Sequence, residues 1–270
     1  MSDTGEEKSE ETLVRYDCRD RVATITLDRP AKLNALSRAL LAQLAASVDR
    51  FDRDAEADVA ILCGNGRAFS SGVDVGESQL AGPEEMRALR DPMSPGTPVG
   101  DFLVHSDNSK PVVAAVHGYA LGLALGLVLK CDLIVAEAGA RLQVTETPRG
   151  LGGYRHWPLL AHRGAGAFGD EVCLTGRFFT AEEAHAAGIV CRVAAAGRLL
   201  AEAGELAAAL AENPPLSVRE TVRVRRWHMN RFCAEVAFQT EAVKLHLTED
   251  FAEAARAFAE KRPPGPFKGR

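Results

Sequence analysis

The sequence predicts an α/β core followed by a helical C-terminal third, and three observations predict it. Short apolar or alternating runs with the two-residue period of strands recur through the first two thirds of the chain. Amphipathic helical stripes lie between them, and from about Thr180 onward the pattern is nearly all helical. The expected organisation is an acidic, loosely held tail over 1–12, a core over 13–197 and a helical region over 198–270.

Taken in order, "RVATITL" (21–27) alternates and is rich in β-branched residues, so it reads as a half-buried strand. "SRALLAQLAASVDRF" (37–51) places Leu40, Leu41, Leu44, Val48 and Phe51 on one helical stripe, with Ser37 as N-cap. "ADVAILCG" (57–64) and "KPVVAAVHG" (110–118) are short apolar runs ended by glycine, as buried strands tend to be. "TAEEAHAAG" (180–188) offers Thr180 and Glu183 as a capping box and Gly188 at the C-terminal end. "SVRE" (217–220), just past the helix-breaking "NPP", repeats the capping-box pattern. The Arg-rich stretch "SVRETVRVRRW" reads as a solvated helix face.

Composition excludes several function classes. The 270 residues are 26% charged and 46% hydrophobic, with a net charge of −5 and no basic excess that would favour nucleic acid. "HGYALGLALGLVLKCD" (117–132) spaces Gly118, Gly122 and Gly126 four apart, which on one helix face is the close-packing pattern of membrane helices. The apolar run from Val112 to Leu129 contains His117, ends at Lys130 and begins as a strand after "SKP". The helix left over is too short to span the roughly 20 residues a bilayer needs, so no membrane span is expected. "MSDTGEEKSEETL" has neither a basic nor an apolar leader region, and the six cysteines form no C-x-x-C pair. Both point to a reducing, cytoplasmic setting without a zinc site or disulfide framework.

The chemistry gathers around "GNGRAFSSGVDV" (64–75), a glycine-rich loop after a strand. The chain has no G-x-G-x-x-G, P-loop, G-x-S-x-G or H-E-x-x-H motif. The loop gains meaning from its company: "RPAKLNALS" before it, "VVAAVHGYALG" after it, then "TGRFFTAEEAHAAGIV" and a terminal "AFAEKRPPGPFKGR". In that order these segments resemble the crotonase (enoyl-CoA hydratase/isomerase) family from about Val14 to Arg270.

The resemblance implies a crotonase-like spiral of ββα units with a helical C-terminal trimerisation region, assembling as a trimer or hexamer. It also implies an acyl thioester carried on coenzyme A, with no metal or redox cofactor. The family's oxyanion hole, two backbone N–H groups that stabilise a thioester enolate, falls on Val73 and Leu123, with Gly72 and Gly122 letting the chain approach the ligand. The coenzyme A path falls on Ala31, Lys32 and Leu33, with Ser71 and Asp74 nearer the thioester and Lys261 reaching the phosphates.

Departures from the family pattern bear on the reaction. Hydratases use two glutamates; the second falls at Glu146 and is present, while the first falls at Gly126 and is absent. The family's triple glycine reads Gly122-Leu123-Ala124, and a shortened loop, "LGGYRHWPLL" (151–160), introduces Tyr154, Arg155, His156 and Trp157. One carboxylate suits a proton shuttle that moves the double bond of a 3-enoyl thioester to the 2-position. Asp74, Glu77 and His156 are the candidate substitute acids of a hydratase, His117 is expected to bond within the turn before the helix, and a non-catalytic acyl-CoA binder is the third reading.

Overall fold

Alternation along the strands decides how the molecule is layered. A computed structural model describes residues 11–78, 92–240 and 244–270. Six strands, β1 (Val14–Arg19), β2 (Val22–Leu27), β3 (Val59–Gly64), β4 (Val112–Val116), β6 (Leu133–Glu137) and β9 (Arg192–Ala194), form one sheet in that order. The β1–β2 pair is antiparallel and the rest are parallel. In β3 the side chains of Val59, Ile61 and Cys63 face a small core closed by helix α7 (Leu199–Ala211). Ala60 and Leu62 face the larger core, which also takes Leu40, Leu44 and Phe51 from helix α1 (Arg38–Arg53). A second sheet carries β5 (Tyr119–Leu121), β7 (Arg141–Gln143) and β8 (Phe178–Thr180). From β5 the chain enters α3 (Leu123–Lys130), all eight residues of which are buried.

Local signals in the sequence act where they were read. Ser37 Oγ accepts from Leu40 N at 3.2 Å and starts α1. Thr180 and Glu183 exchange both bonds of the capping box at the head of α6 (Ala181–Ala186), and Gly188 follows it with φ +78°. The other helices are α2 (Val75–Ser78), α4 (Trp157–His162), α5 (Gly166–Thr175), α8 (Pro215–Thr240) and α9 (Glu249–Ala259). Of the expected acidic tail, 1–10 lie outside the described residues, and Glu11 O accepts from Gln43 Nε2.

Several expectations need correction. The three spaced glycines do not share a helix face: Gly118 (φ +58°) and Gly122 (φ +50°) bend the chain into and out of β5, and only Gly126 is helical. The region after Thr180 is nearly all helical as expected, with one exception the pattern did not show, the edge strand β9 at Arg192–Ala194. Ser217 is not an N-cap, since Pro215, whose φ is preset for a first helical position, starts α8 two residues earlier. The Arg-rich stretch is not a solvated face. Arg225 and Arg226 both bind Asp132 at the start of β6, Arg226 being only 3% exposed, and Arg219 binds Asp58 beside β3 at 2.7 Å. Asp132 Oδ2 also accepts from Val112 N at 2.8 Å, so α8 is clamped to the strand ends by a buried ion cluster. His117 reaches beyond its own turn, with Nε2 2.9 Å from Gly66 O of the glycine-rich loop. No helix among the described residues is long and apolar enough to cross a membrane.

Candidate active site

The site is built where two strand-to-helix turns meet. The segment after β3 returns as an isolated bridge pairing Leu36 with Val73, with Leu36 N donating to Gly72 O and Asp74 N to Leu36 O. Gly72 has φ +91°, and a Cβ placed on it would stand 2.6 Å from Leu121 O and 3.9 Å from Leu123 N. Only glycine allows the two turns this contact. Among the described residues the backbone N–H of Val73 and that of Leu123, first residue of α3, have no acceptor. Asn34, wholly buried, holds the turns in register. Its Nδ2 donates to Asn65, Ala68 and Phe69 carbonyls, and its Oδ1 accepts from Arg29 N.

Glu146 follows β7 and opens a 3-10 turn, Thr147–Arg149, whose Pro148 and left-handed Gly150 fix the bend. Its side chain is 20% exposed. A Cβ on Gly122 would collide with Thr145 Oγ1 and stand 3.0 Å from Glu146 Oε1, so the carboxylate lies against the peptide that carries the Leu123 N–H. Gly126, one turn further along α3, faces other groups. A Cβ there would lie 3.0 Å from Met93 Cε and 3.6 Å from His156 Nε2.

His156 stands just before α4 and is 0% exposed. Its Nε2 is 2.9 Å from Gly122 O, and its Nδ1 is 3.8 Å from Glu146 Oε2. It is therefore fully buried beside Glu146, and neither His156, Glu146 nor Leu123 lines the cavity that opens next to them, whereas their neighbours Leu121 and Thr145 do.

A cavity of about 650 Å³, within the roughly 300–1,000 Å³ typical of small-molecule sites, opens beside these groups. Lys32, Ser71, Val73 and Asp74 line it together with Leu121, Thr145, Arg29 and Arg149. One wall comes from α9 and the segment after it, through Ala254, Ala257, Phe258 and Arg262. Arg149 stacks 4.0 Å from the Phe258 ring centre and joins the two walls. Ala31 and Lys261 are exposed and Leu33 half-buried, and none of the three lines the cavity; Arg262 lies on it where Lys261 was expected. Arg29 donates to Asp74 at 2.6 Å, and this bond holds the Asp74 carboxyl below the usual carboxylate range. Asp74 is thus a fixed anion, poorly suited to give a proton. Glu77 accepts from Arg38 N at the head of α1 and does not line the cavity. Among the described residues no cluster of three His, Cys, Asp or Glu side chains could hold a metal.

Sequence reasoning missed Arg29, Asn34, Met93, Arg149 and Arg262. Asn34 and Arg29 lie within the quoted "RPAKLNALS", but nothing local shows that they bridge to residues 31 to 45 positions away.

The enoyl-CoA hydratase/isomerase family model matches residues 17–270. The chain belongs to that family. It is 33% identical to the 2,3-dehydroadipyl-CoA hydratase of Escherichia coli, over 93% of this chain and 97% of that one. It is 32% identical to the mevalonyl-coenzyme A hydratase of Aspergillus fumigatus, over 90% of each. Among solved structures, an enoyl-CoA hydratase/isomerase from Pseudoalteromonas atlantica superposes with a TM-score of 0.79 at 28% identity, covering 94% of this chain and all of that one. The crotonase-type α/β fold with a helical C-terminal region follows from these likenesses.

Proposed function

We propose that this family member binds an acyl-CoA thioester, stabilises its enolate at the N–H groups of Val73 and Leu123, and moves one proton with Glu146. The α C–H bond breaks, its proton forms an O–H bond on Glu146, and its electron pair moves onto the thioester oxygen. Glu146 then returns the proton two carbons further on, as the electron pair comes back from the oxygen, and a 3-enoyl thioester becomes a 2-enoyl thioester. The shift changes no oxidation state, so this reading needs no redox group.

One observation carries the reading. Glu146 is the carboxylate beside the Gly122–Leu123 peptide, while the position that would oppose it, Gly126, is filled by Met93 and the His156 ring. Arg29, Lys32, Arg149 and Arg262 on the cavity wall suit the phosphates of coenzyme A. The exposed Leu216, Val224, Trp227 and Phe238 of α8 would be covered in a trimer or hexamer, which belongs to the same proposal. So does a cytoplasmic setting for the six free cysteines.

The relatives' names favour a second reading, hydration. That requires a proton donor opposite Glu146, and Asp74, tied to Arg29, supplies a poor one. The two are separated by assaying a 3-enoyl-CoA and a 2-enoyl-CoA with the parent and with Glu146→Gln. Isomerisation that falls by about a hundredfold or more in the variant, at unchanged acyl-CoA affinity, is expected. Hydration without isomerisation in the parent would overturn the first reading. Retained binding with neither activity would leave the non-catalytic binder.

A further inference from the structure

His156 touches both halves of the site at once. A carbonyl can only accept, so the imidazole nitrogen at Gly122 O, Nε2, carries the proton. Gly122 O belongs to the same peptide as the Leu123 N–H. It also accepts from Gly126 N at 3.1 Å, the first bond of α3. A carbonyl that accepts two hydrogen bonds polarises its amide and makes the N–H on the far side a stronger donor. The other ring nitrogen, Nδ1, is buried without a hydrogen-bond partner among the described residues, and Glu146 Oε2 lies 3.8 Å from it. That is too long for a hydrogen bond, and orphaned buried nitrogens are uncommon enough to need an explanation.

We propose that His156 is a positioning residue that couples the oxyanion donor to the base, holding and polarising the Gly122–Leu123 peptide through Nε2 and receiving the protonated Glu146 at Nδ1. This rests on the single-base reading above. In a neutral imidazole with its proton on Nε2, the Nδ1 lone pair faces the Glu146 carboxyl group, which offers it a proton only once Glu146 is protonated. Once Glu146 has taken the substrate's proton, its O–H has Nδ1 as an acceptor after a small swing of the carboxyl group. In that same step the thioester oxygen gains its charge and needs the strengthened Leu123 N–H. The other titratable groups facing Glu146 are Arg149 on its own turn and Cys173 on α5. Burial keeps the Cys173 thiol protonated, at about 12, so it neither donates charge nor competes for the proton. Gly126 bears on this too: a Cβ at that position would press on Met93 and touch the ring, 3.6 Å from Nε2.

The test uses His156→Phe, which keeps the ring's bulk and removes both nitrogens, and His156→Gln, whose amide N–H can reach Gly122 O. Gly122 O keeps its Gly126 partner in both variants, which limits the folding cost. Acetoacetyl-CoA is the probe for the oxyanion, because its enolate absorbs in the near ultraviolet and its keto form does not; butyryl-CoA, whose α C–H bonds lack the second carbonyl and are far too weakly acidic to leave a measurable enolate population, reports binding alone. The Phe variant should lose about tenfold in bound enolate and in kcat, a part of the hundredfold or more that loss of a whole oxyanion donor costs. Butyryl-CoA affinity should stay within about twofold, and Gln should restore most of the enolate band. An unchanged band in the Phe variant, a Gln variant as weak as Phe, or butyryl-CoA affinity falling in step with the band would each overturn the proposal. Should the Phe variant not fold, nitrogen NMR of the parent decides alone: a proton on Nδ1 with Nε2 bare refutes it. A His156-dependent band in a parent that does not isomerise would sink the single-base reading, and with it the Nδ1 half of this proposal, and leave standing only the polarisation of the Gly122–Leu123 peptide. Isomerisation with a His156-independent band would do the reverse.

Discussion

Substituting Gly126→Glu puts a carboxylate where the family resemblance places the first hydratase glutamate, and the structure sets what it costs. The new Cβ would stand 3.0 Å from Met93 Cε and 3.3 Å from its Sδ, so the methionine must give by a few tenths of an ångström. A thioether end is pliant, which keeps this overpacking near the low end of about 1–3 kcal/mol. Replacing a glycine inside a helix recovers roughly 0.5 kcal/mol of propensity. The carboxylate itself weighs more: placed in a helix that is buried throughout, it costs several kcal/mol if left ionised and unpaired. His156, 3.6 Å from the new Cβ, offsets part of that. A net loss of about 1–3 kcal/mol, or roughly 2–10 °C in Tm, is therefore expected. Hydration of a short 2-enoyl-CoA, followed by loss of the conjugated thioester's ultraviolet absorbance, should rise above the parent's level. A variant that melts within this range and shows no gain would refute the reasoning, since the missing carboxylate would then not be what withholds hydration.

The remaining predictions concern the same site and its frame. Gly122→Ala puts a Cβ onto Thr145 and Glu146 at φ +50°, and should cut turnover by about a hundredfold by displacing base and donor together, measured as kcat with Tm alongside. Calorimetric titration with acyl-CoA should show affinity that weakens as salt rises if, as proposed, the cations lining the cavity (Arg29, Lys32, Arg149 and Arg262) receive the phosphates; salt-independent binding would contradict that path. The Asp132 carboxyl is held below its ordinary range: burial opposes its ionisation, and Arg226 and then Arg225 outweigh burial. A folded-state pKa below the unfolded one gives stability that is complete above the usual carboxylate range and is lost as pH falls through the lower folded value. Acid unfolding followed by circular dichroism should therefore start below about pH 4 in the parent. Asp132→Asn should lose about 3–5 kcal/mol at pH 7 by stranding Arg226, and its stability should change less with acid.

Much of this architecture could be read from local pattern. Ser37, Thr180 and Glu183 act over three or four residues, and the apolar runs of β2, β3 and β4 carry their burial in their own composition. The chemistry-bearing positions Glu146, Gly126 and His156 could be named from motif order. What they do to one another could not, because His156 meets Gly122 across 34 residues of chain with no periodicity to signal it. The Arg-rich helix failed for the same reason: Asp58 and Asp132, which turn a charged stripe into a buried clamp, lie 161 and 93 residues from their partners. Local sequence shows that a charge exists; only the fold shows whether water or an acid receives it.

The wall that α9 gives to the cavity makes ligand affinity and local folding one equilibrium. Ala254, Ala257 and Phe258 line the cavity only while α9 is docked, held by its buried Phe251, Ala254, Ala255 and Ala257 together with the Arg149 contact on Phe258. Each occupied site must then suppress the partial opening in which α9 alone leaves the core, by about RT ln(1 + [L]/Kd). Amide exchange in 249–259 should slow on saturation with acyl-CoA while that of β3 and β4 barely changes, so the last helix acts as a reporter of occupancy built into the chain.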